Sequence, residues 1–334
     1  MSNSHGGGLR VVLVALTVNL LIAAFKFVAA FLSGSAAMLA EAVHSLADTT
    51  NQVLLIVGMR RSSRPPDALH PFGHGTETYF WAFIVAGCIF LVGGTVSMWE
   101  GVEKLWQVHK GTFHPHGDVR WALGTLGVSF ALESLSLRAA WREFTQMRGS
   151  RTIRQALRDV RDTTVLTVLL EDLAALLGLA VAFLGVVLTL LTGNPLWDAL
   201  ASVLVGVTLC GVAFLLGRDS MSLLLGEAVP EEEHARILEI VKEHPRVLAV
   251  VHARTMHIGP RDVLLAIKLQ FDRTLTMDLL EQCINDLERN LRAALPHLRR
   301  IYVEPGFDEH QSSNSDLTTS APSGTSGTGA SGRA

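Results

Sequence analysis

The stretch "AEAVHSLADTTNQ", residues 40–52, sets His44 and Asp48 four residues apart inside an otherwise apolar run, with Glu41 and Asn51 close by. On a helix, positions four apart share one face, about one turn from each other. A neutral imidazole beside a carboxylate suits a divalent transition metal such as zinc. In a bilayer each ionised group costs about 3 kcal/mol on insertion scales, so such groups are expected to face a cation or one another, not lipid. An interhelical hydrogen-bonded pair is the competing reading. A second polar interruption, "TVLLEDLAALLGLA", carries Glu171 and Asp172. Adjacent helical residues point about 100° apart, so both meet one point only through a kink or an unwound turn. If either faces His44 and Asp48, three side-chain ligands and a water form an open site, which release of a cargo requires. The alternative is a carboxylate at the cytoplasmic water boundary, because Arg161 stands ten residues before Glu171.

A third group lies in "RPPDALHPFGHGTETYF". Asp67, His70 and His74 are spaced three and four, braced by Pro71 and Gly73. Their types and spacing fit a compact loop metal site, or a rigid turn with satisfied histidines. Lys26, Glu133 and Asp198 are also in or near apolar runs. Lys26 pairs with Glu41 or snorkels, Glu133 serves as polar glue between helices, and Asp198 opens a helix after "GNP". None of the three is assigned to metal.

These groups need long apolar elements to hold them. The 334 residues are 49% hydrophobic and only 18% charged, against about 25% charged in a soluble domain; the mean hydropathy is +0.34. Six apolar runs, Val11–Leu32, Ala36–Gly58, Tyr79–Trp99, Val119–Ala139, Val165–Leu191 and Leu196–Gly217, each suffice to cross a hydrocarbon core of about 30 Å. The first is too long for a cleaved signal and has Lys26 in its middle. Arg60, Arg61 and Arg64 follow the second run, six arginines from Arg142 to Arg161 follow the fourth, and Arg218 follows the sixth; the opposite loops, "SGS", "HKGTFHPHGD" and "TGNP", hold one Lys and no Arg. Positive residues stay inside, so both termini are expected to be cytoplasmic. No transit-type sequence precedes the first run, which favours a bacterial cell (inner) membrane. Net charge is −3, which gives no basis for a nucleic-acid partner. Cys88, Cys210 and Cys283 imply no disulfide framework.

After the sixth run the composition turns charged. "PEEEHARILEIVKEH" starts with Pro230 and acidic residues, a favourable helix start. "RVLAVVHARTMHI" and "DVLLAIKLQFD" read as strands joined by the turn "IGPRD". Thr276 caps a further helix, and "LRRIYVEP" is a last strand. The expected fold is a multi-pass α-helical membrane protein with six transmembrane helices, followed by a small cytoplasmic α+β (αββαβ) domain. Its parts are an N-terminal cytoplasmic tail (1–10), a transport domain (11–218), the αββαβ domain (219–307) and a Ser/Thr/Gly-rich disordered tail (308–334).

"GSAAMLAEAVHSLADTTNQ" and "DALHPFGHG" together resemble the second span and the following loop of the cation diffusion facilitator family of metal transporters. "RDTTVLTVLLEDLAALLGLAVA" and "SLLLGEAVPEE" resemble its zinc-transporter-nine-like branch. The resemblance runs from residue 10 to about 307. It implies a homodimer that exchanges a divalent metal, zinc first, for protons by alternating access, with the tail domain used for dimer contact and metal sensing. It implies metal ligands at His44, Asp48 and Glu171, and a second metal at Asp67, His70 and His74. One departure stands out: the family's second pair in span five falls on Glu171 and Ala175, and alanine cannot ligate. Asp172 or Asn51 is then the candidate substitute. In the tail domain, His252, Lys268, Tyr302 and Glu304 fall on family ligand positions, and a lysine among them marks a degraded site.

Two other classes compete. A membrane metalloenzyme would hold a zinc-activated water on His44, Asp48 and Glu171, but needs a general base and a substrate cleft; no HExxH or GxSxG motif and no Gly-rich phosphate loop occurs. A non-transporting regulatory homologue has Ala175 as its only support.

Overall fold

The computed structural model describes residues 5–33, 36–112, 119–149, 152–153, 155–156 and 162–306. The side chains of Glu41 and His44 lie outside the described residues, as do Arg151, Arg154, Arg158, Arg161 and the tail from residue 307. The chain divides into two compact units: residues up to Pro230 with Met256–Val263, and Glu231–Thr255 with residues from Leu264 on.

In the first unit, six helices of 27 to 33 residues stand among the described residues. They are α1 (His5–Ser33), α2 (Ala36–Ser62), α3 (Glu77–His109), α4 (Val119–Arg148), α5 (Thr163–Thr192) and α6 (Leu196–Leu224). Each contains one of the six apolar runs. Four of them, α1, α3, α5 and α6, are both long and apolar enough to cross a membrane. α2 and α4 are long but interrupted by polar residues: Glu41, His44, Asp48 and Asn51 in one, Glu133, Arg138 and Arg142 in the other. α4 runs on to Arg148, so Arg142 and Arg148, expected in a loop, ride its last turns.

α1 packs on α2 and α4, α5 on α4 and α6, and α3 on α2 and α6. Small and branched side chains such as Val12, Ala15, Ala82, Val85, Val168 and Ala213 fill the buried seams, with Phe144 beside them. Large apolar side chains such as Phe31, Leu91 and Leu191 face outward. That is the arrangement of a lipid-facing bundle, in which small residues let helices approach. The closest approach is between α3 and α6: a Cβ on Gly206 would sit 2.6 Å from the Met98 backbone nitrogen, and one on Gly101 2.6 Å from that of Val203. Mid-way along α3, Ile89–Thr95 is wound as a π-helix, and the Thr95 hydroxyl donates to the Phe90 carbonyl at 2.9 Å. Such wide turns recur at functional sites. α5 starts on Asp162, whose side chain accepts from the Val165 amide, and ends at Gly193 with φ of 69°.

The second unit carries α7 (Glu231–Lys242), β1 (Val247–Gly259) up to Thr255, β2 (Asp262–Phe271) from Leu264, α8 (Met277–Ala294) and β3 (Leu298–Pro305), with sheet order β1-β2-β3. β2 alternates strictly between buried and half-buried positions, so one face covers the core. Cys283, Leu287 and Leu291, four apart, make the buried stripe of α8. Thr276 occupies the cap position of α8 in extended backbone, but its hydroxyl makes no capping bond.

Candidate metal centres

All six long helices line one cavity of about 510 Å³; α1, α2, α4 and α5 bring Lys26, Asp48, Glu133, Glu171, Asp172 and Ala175 to its wall, and α3 and α6 bring Glu100, Glu103, Lys104 and Asp198. Glu171 and Asp172 both reach it although α5 is an unbroken α-helix. No kink is needed because the cavity is wide enough to receive two directions about 100° apart. His44 stands one turn before Asp48 on α2, its side chain outside the described residues. Lys26 and Glu133, expected to snorkel or to glue helices, line the same space. Asp198 does sit in the first turn of α6; it also pairs with Lys104 at 3.1 Å.

Glu171 is buried, and both its oxygens are held. Asn51 Nδ2 donates to Oε1 at 2.9 Å and Gln52 Nε2 to Oε2 at 3.0 Å. A carboxylate offers only acceptors, so the amide nitrogens must be the atoms that face it. Gln52 in turn accepts through Oε1 from Asn19 Nδ2 at 3.2 Å. A relay of three amides thus fixes one carboxylate and leaves each oxygen a lone pair for a cation. Asn51, a candidate substitute ligand by sequence, uses its N–H to hold Glu171. Gln52 and Asn19 carry no motif; an amide in each of two facing apolar runs is the only trace they leave in the sequence. Asp172 is also buried; the Ser136 hydroxyl of α4 stands beside its carboxyl, but its Oδ2 makes no hydrogen bond of good geometry among the described residues. Buried oxygens are rarely left so without a ligand or water to complete them.

The loop between α2 and α3 is tighter. Asp67 Oδ1 accepts from the amides of Leu69 at 2.9 Å and His70 at 2.7 Å. Its two oxygens also reach one imidazole each, His70 Nδ1 at 3.3 Å and His74 Nε2 at 3.1 Å. The His70 amide first, then His74, Leu69 and the His70 ring, lower the Asp67 carboxyl to about 2. Gly73 turns the chain at φ 84°, and its amide donates to the His70 carbonyl at 2.9 Å. One ligand atom from each of Asp67, His70 and His74 lies within 4.8 Å of the others; among the described residues no other three groups gather so closely. Two imidazoles and a carboxylate fit zinc, with a fourth position open. Glu77 approaches His74 Nδ1 at 3.5 Å from the far side, and Trp81 Nε1 donates to Glu77 at 3.3 Å. A carboxylate behind a ligating imidazole orients the ring. In the tail unit, Lys268 and Glu304 bond each other at 3.0 Å, and His252 is exposed.

The family profile of the cation efflux transmembrane domain matches residues 12–225. The chain is 35% identical over 277 residues to the mitochondrial proton-coupled zinc antiporter SLC30A9 of Mus musculus, covering 82% of this chain and 48% of that protein. It is 34% identical over 253 residues to metal tolerance protein C4 of Arabidopsis thaliana, 75% of this chain and 54% of that one. It is 24% identical to the manganese efflux system protein MneP of Bacillus subtilis, over 90% of this chain and 97% of that one. The chain spans about half the length of the first two. With the transmembrane profile matched over most of α1–α6, the chain belongs to the cation efflux family of transporters, the cation diffusion facilitators, and is similar to its zinc-transporter-nine-like members.

Proposed function

We propose that the chain is a secondary active transporter that carries a divalent metal cation, zinc first, out of the cytoplasm in exchange for protons. All six long helices span the membrane in this reading, and the cavity that Asp48, Glu171 and Asp172 share is the observation that carries it. With His44 one turn from Asp48, these groups are the transport ligands. They bind metal only when deprotonated, so metal and protons compete for one set of groups. The cavity opens to the two sides in turn. Arg60, Arg61 and Arg64 at the end of α2, Arg142 and Arg148 at the end of α4, and Arg218 in α6 support a cytoplasmic side that also holds both termini. Asp67, His70 and His74 take a second, structural or regulatory metal on that side. The protein is a homodimer of the cell membrane in this reading. The Lys268–Glu304 pair supports a tail unit that folds without its own metal. The test is zinc flux in proteoliposomes with His44→Ala and Asp48→Ala: both variants reach the membrane and lose flux. Wild-type flux in Asp48→Ala overturns the site.

A further inference from the structure

We propose that Glu133 of α4 is a ligand of the transported metal, supplying the carboxylate oxygen that is missing at Ala175. The inference rests on the membrane cavity being the transport site. Glu133 and Ala175 line that cavity together with Asp48, Glu171 and Asp172. Ala175 lies one turn beyond Glu171 on α5, so the gap it leaves opens beside these acids. Glu171 cannot swing to fill the gap without releasing Asn51 and Gln52. Glu133 is not tied down in this way: among the described residues no hydrogen bond or ion pair holds it, which is not how polar glue behaves. Its charged neighbours are Asp172, Asp48 and Lys26. Ser129, one turn before it on α4, is buried and lines the same cavity. The buried carboxyl of Asp172 has only the Ser136 hydroxyl of α4 beside it, and its Oδ2 makes no hydrogen bond of good geometry among the described residues, which leaves that oxygen available to a cation in this space. The carboxylates do not converge on one point in this conformation, so the cation gathers them.

The proposal has a consequence for selectivity. Four carboxylates beside the single imidazole of His44 make a harder donor set than histidine-rich sites, one suited to manganese as well as zinc. Exchanging one carboxylate for a neutral amide oxygen therefore harms manganese more than zinc. The experiment measures zinc and manganese flux into proteoliposomes for the full chain and for Glu133→Gln, Glu133→Asp and Glu133→Gln/Ala175→Asp, with Asp48→Asn alongside. Glu133→Gln is expected to raise the KM for zinc by about tenfold or more, and that for manganese further. Glu133→Asp has a smaller effect, and Ala175→Asp restores binding to the Gln variant. An unchanged KM for both metals in Glu133→Gln overturns the proposal. So does a loss that neither Asp nor Ala175→Asp repairs, since that marks a structural role. Should Glu133→Gln fail to insert, an unchanged KM in Glu133→Asp overturns it. Asp48→Asn separates the two readings: wild-type flux there removes the transport site itself, whereas loss there with wild-type Glu133→Gln removes only Glu133.

Discussion

Glu171 is a buried carboxylate whose orientation is set by amides on two other helices. A ligand held this way is positioned before metal arrives, so loss of the holder weakens the site without removing a ligand. Gln52→Ala is predicted to lower zinc affinity about 10–100-fold, the usual effect of losing an outer-shell partner, read as a raised KM for flux. The loop behaves differently. His70→Ala/His74→Ala is predicted to lower bound metal per chain, counted in purified protein, while unchanged stoichiometry restores the rigid-turn reading. Asp67 has its carboxyl lowered to about 2 by the His70 amide above all. Its hold on the loop is therefore complete above the unfolded value of about 4 and is lost as pH falls toward about 2. A carbon-13 titration of the Asp67 carboxyl checks this, with a midpoint near 4 contradicting it. The closeness of Asp67, His70 and His74 was legible because eight consecutive residues with Pro and Gly have few ways to fold. The hold on Glu171 was not, because Asn51 and Glu171 lie 120 residues apart and only helix packing makes them neighbours. The same holds for Glu133, whose face is decided by how α4 rolls against α5.

At the scale of elements, hydrophobic run lengths located all six long helices, and alternation and turn residues located the three strands. The ends were less legible. α4 outruns its apolar segment to Arg148 because Arg142 and Arg148 can lie on a helix as easily as in a loop. The π-helical stretch of α3 has no trace in the sequence beyond its paired glycines. α3 and α6 meet backbone to backbone at Gly101 and Gly206, so a side chain there must push the helices apart. Gly206→Val is predicted to destabilise the bundle by about 1–3 kcal/mol, the range of an overpacked core, read as a lower melting temperature in detergent. Gly124→Ala, with open space around its Cβ position, is predicted to leave that temperature within a degree or two of wild type, roughly the effect of a surface change. Equal shifts in both variants contradict the close-packing account.

In the whole molecule as proposed, one set of deprotonated side chains serves metal and protons in turn. Charge alone makes the claim concrete: Asp48, Glu133, Glu171 and Asp172 share a cavity with Lys26, and so many carboxyls in a membrane need cations to neutralise them. A divalent metal or two protons each offset the same two of those charges, and in the proposed cycle alternation between them couples the flows. In the proposed cycle the direction of net flux follows the proton gradient, and an acidic outside draws metal from the cytoplasm. The most direct measurement imposes a pH gradient of either sign on zinc-loaded proteoliposomes and records zinc and internal pH together. Zinc flux that reverses with the gradient, accompanied by proton movement the opposite way and absent in Asp48→Ala, is the predicted result. Zinc flux that ignores the gradient, with internal pH unchanged, contradicts the account.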